Sequence, residues 1–250
     1  MDTNMAKIDF RIDDTVAVVT LNSGENRFNP DFVTSYLKVL DEIEHNTKAA
    51  TLVVTSGHEK IFSNGIDLDW LLPVIGQKDV TTSKSFFYLL NKMFKRTLTY
   101  PLLTIVAING HAFAGGAILA CAFDFRFMRT DRGFFCLPEI DLGVPFRPGM
   151  NALLKKAIPM YKLEEMQYTG NRLTAEECKQ HHIVTGAYHR DELMAKALEF
   201  AKGIKKGREV VREMKARMHK ETIHALDHED KACMESENFN KHWLSIEGAG

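Results

Sequence analysis

Cysteine is sparse: four in 250 residues, far apart and without a CxxC pair, which argues against a zinc ribbon or a disulfide framework. Cys121, Cys136, Cys178 and Cys233 read as the reduced thiols of a cytoplasmic protein. A charge excess is lacking as well. With 32 Lys and Arg against 33 Asp and Glu the formal net charge is −1, so nothing in the bulk balance draws nucleic acid or an anionic membrane. No apolar run approaches the ~18–20 residues that a membrane span needs. Met1-Asp2-Thr3-Asn4-Met5 makes neither a signal peptide nor an Arg-rich transit peptide, and Glu247-Gly248-Ala249-Gly250 is not a peroxisomal tripeptide. No GxSxG elbow occurs, which removes the usual serine hydrolase. What is present is a 45% hydrophobic content, enough to bury a full core.

The amino-terminal half alternates strand and helix signals. Ile8–Ile12 and Val16–Leu21 are β-rich runs around Asp13-Asp14, a hairpin signal. Helical spacing runs through Phe32, Leu37, Leu40 and Ile43, with Asn29 as N-cap and Pro30 in the first turn. Thr51–Thr55 and Ile105–Ile108 are short buried strands, and a helix is expected from about Ser83 to Thr99. Phe125–Met128 reads as a further strand. After Pro148 the pattern turns helical: Met150–Ala157, Lys162–Thr169, a capping box at Thr174-Ala175-Glu176-Glu177, and Arg190–Lys205 with an apolar stripe through Leu193, Ala197, Leu198 and Ala201. Repeated ββα units (residues 1–190) followed by a helical region (191–250) is the expected architecture, α/β in class.

Two loops and one turn carry the chemistry. In Phe62-Ser63-Asn64-Gly65-Ile66-Asp67-Leu68, Asn and Gly permit the backbone angles that turn a peptide N–H towards a ligand, and Asp67 can cap a helix beginning near Leu68. In Asn109-Gly110-His111-Ala112-Phe113-Ala114-Gly115-Gly116, the paired glycines let a ligand approach a helix start, where free N–H groups favour an oxyanion. The second loop has the spacing of a P-loop start but not its Lys-Ser/Thr ending. The turn is Phe135-Cys136-Leu137-Pro138-Glu139-Ile140, whose Glu139 is a candidate acid/base. His224 and His228 lie at i,i+4 with no third convergent ligand, so no metal is expected. The basic stretch Lys202 to Lys220 is interleaved with Glu209 and Glu213, as on a wet helix surface.

These segments, together with Leu21-Asn22, Ala122-Phe123-Asp124 and Pro138-Glu139-Ile140-Asp141-Leu142-Gly143, occur in an order and spacing that resembles the crotonase superfamily, also called the enoyl-CoA hydratase/isomerase family. The resemblance covers essentially the whole chain. It implies the ClpP/crotonase-like spiral of ββα units, a carboxyl-terminal helical region that trimerises (homotrimer or dimer of trimers), and binding of acyl-coenzyme A thioesters without a separate cofactor. It implies that the N–H groups of Asn64 and Gly115 hold the thioester oxygen. It further implies that Asn64, Gly65, Ile66, Asp67 and Leu68 line the pantetheine and adenine, and that Pro138 touches the acyl portion. Some of the carboxyl-terminal lysines are candidates for the coenzyme's 3′-phosphate on the same basis.

Departures from the family pattern select the reaction. Hydratases place one Glu in the helix after the glycines and another in the Pro-Glu turn; here those positions are Ile118 and Glu139. Dienoyl-CoA isomerases carry an Asp where this chain has Arg147. What remains is similar to the Δ3,Δ2-enoyl-CoA isomerase pattern: Glu139 alone as acid/base, with Ile118 in an apolar wall that raises its basicity. Two other readings stand beside it: a hydratase in which Asp141 helps hold the water, and a non-catalytic acyl-CoA- or protein-binding relative that keeps the fold. Asp124 is expected as a structural anchor, and His111 in a packing role.

Overall fold

The two β-rich runs at the amino terminus do form a hairpin, β1 (Ile8–Asp13) against β2 (Val16–Leu21), turned at Asp14 with φ 58°. In this computed structural model, which describes residues 7–236, 239–244 and 246, β2 continues into a parallel sheet. Its further strands are β3 (Thr51–Ser56), β5 (Leu103–Ile108), β7 (Phe125–Arg129) and β10 (Gly186–Tyr188), in the order β1-β2-β3-β5-β7-β10. The near-continuous apolar runs of β2 and β3, Val16–Val19 and Leu52–Val54, are explained by this placement, because parallel strands covered on both faces have no solvent side to alternate with.

A second, smaller sheet stands beside the first: β4 (Ile61–Ser63), β6 (His111–Phe113), β8 (Phe135–Cys136) and β9 (Arg172–Leu173), with only β8·β9 antiparallel. After the β1-β2-α1 unit, the pairs β3/β4, β5/β6 and β7/β8 each join a long strand of the large sheet to a short strand of the small one ahead of a helical segment, the ββα repeat that was expected. The short strands carry two or three residues each, too few to show any periodicity, so this sheet could not be read from the chain.

Helix α1 (Pro30–Asn46) starts as its sequence predicts, the Asn29 side chain accepting from Phe32 N–H at 3.0 Å. Helices α2 (Leu68–Gly76) and α3 (Val80–Leu98) follow β4, and α4 (Gly115–Ala122), buried along its whole length, follows β6. After β8 come a 3₁₀ turn over Pro138–Ile140, then α5 (Pro148–Ala157), α6 (Met160–Thr169) and α7 (Ala175–Gln180), the last with both halves of its capping box formed. Helix α8 (Arg190–Gly203) lays Leu193, Ala197 and Ala201 on Val53, Ile105, Ala107 and Phe127 of the large sheet. It closes the face opposite the main core and so belongs to the packing of the spiral. Beyond it run α9 (Arg208–Met218), α10 (Lys220–His224), a π-helical segment over Ala225–Glu229, α11 (Asp230–Met234) and α12 (Lys241–Leu244).

Several basic side chains of the carboxyl-terminal helices are spent on the fold. Arg208 donates to the carbonyls of Glu44, Thr47 and Ala49, Lys202 pairs with Asp13 at 2.7 Å, and Lys215 reaches both Leu102 O and Asp124 at 2.7 Å. Asp124 also accepts from Thr104 N–H at 2.7 Å, which gives it the anchoring role expected of it. Among the described residues no helix is long and apolar enough to cross a membrane.

Candidate active site

The two glycine loops meet backbone to backbone. Gly65 has φ +75°, and a Cβ there would come 2.6 Å from Gly115 N. A Cβ on Gly116 would overlap the Ser63 carbonyl group. Close approach, more than turn geometry, is what these glycines supply. The first loop hangs from Asn26, a fully buried residue whose side-chain amide donates to Phe62 O at 2.9 Å and Ser56 Oγ at 2.8 Å. Ser63 Oγ donates to Asn26 O at 2.7 Å and accepts from Gly65 N–H at 3.1 Å.

The amides of this loop can be accounted for one by one. Asn64 N–H, expected to face the thioester, instead donates to Glu25 O at 3.2 Å. Its side chain donates to Glu25 Oε2 at 3.0 Å. Asp67 N–H goes to Phe28 O at 2.9 Å, and Phe28 N–H to Gly65 O, a parallel bridge that turns Ile66 N–H away from Phe28. Among the described residues nothing accepts from Ile66 N–H. Gly115 N–H likewise opens the first turn of α4 with no side-chain cap. It is placed there by Ala114 at φ 49°, ψ −124°, a region that L-residues rarely occupy, with Ala114 N–H fixed to Cys136 O at 3.0 Å. In the first loop the uncommitted amide is therefore that of Ile66, two residues beyond the expected Asn64, and in the second it is among those of the first turn of α4, beginning with Gly115. The sequence held no signal for the difference, which depends on which amides Glu25 and Phe28 take.

Both residues line a cavity of about 670 Å³. Asn64, Leu68, Ile118, Pro138 and Glu139 line it too. Gly65 and Asp67 do not. Gly65 is packed behind Gly115, and Asp67 caps α2, accepting from Trp70 N–H at 3.4 Å and from Asn29 Nδ2 at 3.0 Å. The rest of the wall is largely apolar and comes from elements far apart in the chain: Phe87 of α3, Val144 and Phe146 after the 3₁₀ turn, and Phe239 and Trp243 near the carboxyl end. Phe87 holds that end in place, its ring centroid 5.0 Å from Phe239 and 5.5 Å from Trp243.

Glu139 sits in the middle of the 3₁₀ turn. Its carbonyl accepts from Leu142 N–H at 3.2 Å and Val144 N–H at 3.0 Å, which fixes the backbone while leaving the side chain uncommitted. The residue is 9% exposed and Oε2 is buried without a hydrogen-bond partner. Burial pushes the carboxyl up to about 8, opposed only in part by its own backbone N–H. It is the only carboxylate among the described lining residues. Ile118, 1% exposed, supplies hydrocarbon where a second acid would otherwise stand. Asp141 does not fill that place: it is exposed, and its carboxylate lies over Gly170, outside the cavity. His111 packs between Phe113 and Phe134 at centroid distances of 5.1 and 5.7 Å, clear of the cavity lining.

A buried carboxyl of raised pKa thus shares one cavity with uncommitted peptide N–H groups, at the junction of two ββα turns of a crotonase fold. Residues 11–245 match the family model described as enoyl-CoA hydratase/isomerase, and the chain belongs to that family of enzymes. It is 32% identical over 166 residues to enoyl-CoA delta isomerase 3 of Arabidopsis thaliana, covering 66% of this chain and 69% of the relative. To the peroxisomal enoyl-CoA delta isomerase 2 of the same plant it is 32% identical over 184 residues, 72% of this chain and 75% of the relative. Among solved structures, human mitochondrial delta3-delta2-enoyl-CoA isomerase superposes with a TM-score of 0.82 at 22% identity, over 97% of this chain and 99% of the human one, a likeness of fold.

Proposed function

We propose that this chain shifts the double bond of a 3-enoyl-CoA thioester to give the 2-trans-enoyl-CoA, with Glu139 as its one acid/base. The ionised carboxylate takes a proton from C2. The electron pair spreads into the thioester as a dienolate, whose oxygen lies between the N–H groups of Ile66 and Gly115. The same carboxyl then returns the proton at C4, and the double bond closes between C2 and C3. Each amide aimed at the developing oxyanion contributes about 3 kcal/mol in the transition state. The names of the plant relatives support this reading, but the observation that carries it belongs to this chain: a lone carboxylate of raised pKa in a cavity where Ile118 replaces a second acid.

A hydratase must hold and activate water, which a single carboxyl facing hydrocarbon does poorly. Turnover of 3-hexenoyl-CoA compared with crotonyl-CoA, followed spectrophotometrically, separates the two reactions. Migration of the 3-hexenoyl double bond with little hydration of crotonyl-CoA is expected. Rapid hydration without migration would exclude the proposal.

A pH dependence follows from the same carboxyl. Its free-enzyme form is mostly protonated at neutral pH, since burial places its pKa near 8. The base is the ionised form, so kcat/KM should climb with pH through that value and level off above it. A profile already flat from the ordinary carboxylate range upward would mean that another group is titrating.

A further inference from the structure

One polar group of the cavity takes no part in this chemistry. Arg147 lines the cavity eight residues after Glu139, on the segment that leads into α5. Its side chain is 10% exposed. Nη2 donates to Asn91 Oδ1 at 3.0 Å, and the guanidinium lies 4.8 Å from the centroid of the Phe87 ring. Nε is 3.7 Å from Asp230 Oδ2, beyond hydrogen-bond length, and both Nε and Nη1 are buried with no acceptor. Asp230 is itself fully buried and already engaged, accepting from Gly149 N–H at 2.7 Å and Asn91 Nδ2 at 2.8 Å. Among the described cavity-lining residues, only Glu139 and Arg147 keep buried side-chain polar atoms without partners. For Glu139 that deficit suits a group that meets the substrate; for Arg147 the fold itself offers no such reason.

We propose that Arg147 is a specificity residue, donating from Nη1 to an uncharged oxygen, a keto or hydroxyl group, on the part of the acyl chain that passes Phe87. A hydrocarbon tail leaves that donor unsatisfied. A tail ending in a carboxylate satisfies it but buries a second anion beside Asp230, whose charge already offsets the guanidinium. A neutral acceptor supplies the hydrogen bond without disturbing that balance. The inference rests on the acyl-CoA reading of the cavity and adds to it the kind of chain accepted.

Saturated, unreactive acyl-CoAs test it by calorimetric titration, so that binding is read apart from turnover. The set comprises a plain medium-length chain, the same chain with one keto or hydroxyl oxygen, and its ω-carboxylate. The wild type should bind the keto or hydroxyl form about tenfold more tightly than the plain chain, as a hydrogen bond to a charged donor predicts, and the carboxylate no better than the plain chain. In Arg147→Met the preference should vanish, so that plain and oxygenated chains bind alike. Equal wild-type affinity for plain and oxygenated chains overturns the inference, as does a preference that survives in the Met variant. If that variant fails to fold, the wild-type ratio decides alone. No binding of any member would instead remove the acyl-CoA reading, and the inference with it.

Discussion

Glu139→Gln should retain coenzyme A thioester affinity and lose about 10²–10⁴-fold in kcat for double-bond migration, the range that a positioned general acid/base supplies. Glutamine matches the carboxyl in shape and suits the apolar surroundings of residue 139 better than an ionised group does, so the cavity should keep its form. What it cannot do is take a proton from C2. Because the loss falls on the transition state and not on ground-state binding, kcat and kcat/KM should drop together while the dissociation constant of a saturated acyl-CoA stays put. Stopped assays on 3-hexenoyl-CoA, paired with calorimetry, make the comparison. An unchanged kcat would show another base at work; a wild type with no turnover to lose would leave an acyl-CoA-binding protein.

Gly116→Ala should cost nearly as much, by a different route. The added methyl meets the Ser63 carbonyl and Ser63 Cβ, the latter at 2.9 Å, and the carbonyl belongs to the backbone of β4 with no flexible end to yield. The loop carrying Ile66 must then back away from the loop carrying Gly115. With both amides displaced from one oxygen, kcat should fall by about 10²–10³-fold, the measured order for loss of one oxyanion donor, and thermal stability should fall with it. Gly203→Ala is the matched control: a Cβ there meets nothing within 4 Å, and activity should be unaltered. Wild-type kcat and melting temperature in Gly116→Ala would refute the close-approach account of the paired glycines.

How much of this the chain itself discloses depends on the range of the interaction. Local signals were legible: the Asn29 cap, the Asp67 cap of α2, the Thr174 box and the Val16–Leu21 strand each rest on neighbours a few residues apart. That Glu139 and Ile118 share a cavity was legible through the resemblance to the family, whose motifs they occupy. The free amide of the first loop lies two residues beyond its expected place, at Ile66 and not Asn64. Which amide remains free is decided by Glu25 and Phe28, about forty residues earlier, and no spacing rule reports that choice. The aromatic wall was hidden for the same reason: Phe87, Phe239 and Trp243 meet only once α3 and the carboxyl-terminal segment have packed. Arg147 was read only as an Asp that was missing, and its place between Asn91 and Asp230 depends on the helix beyond the π-helical segment.

One experiment bears most directly on a single shielded carboxyl carrying hydrogen from C2 to C4. A 3-enoyl-CoA dideuterated at C2 is converted in ordinary water under single-turnover conditions, and deuterium at C4 of the product is measured by mass spectrometry and NMR. A measurable share delivered to C4 is the predicted result, since the proton stays on Glu139 in a cavity walled by Ile118, Phe87 and Phe146. Product with only protium at C4 would show hydrogen supplied by solvent or a second group, and would contradict the one-carboxyl mechanism.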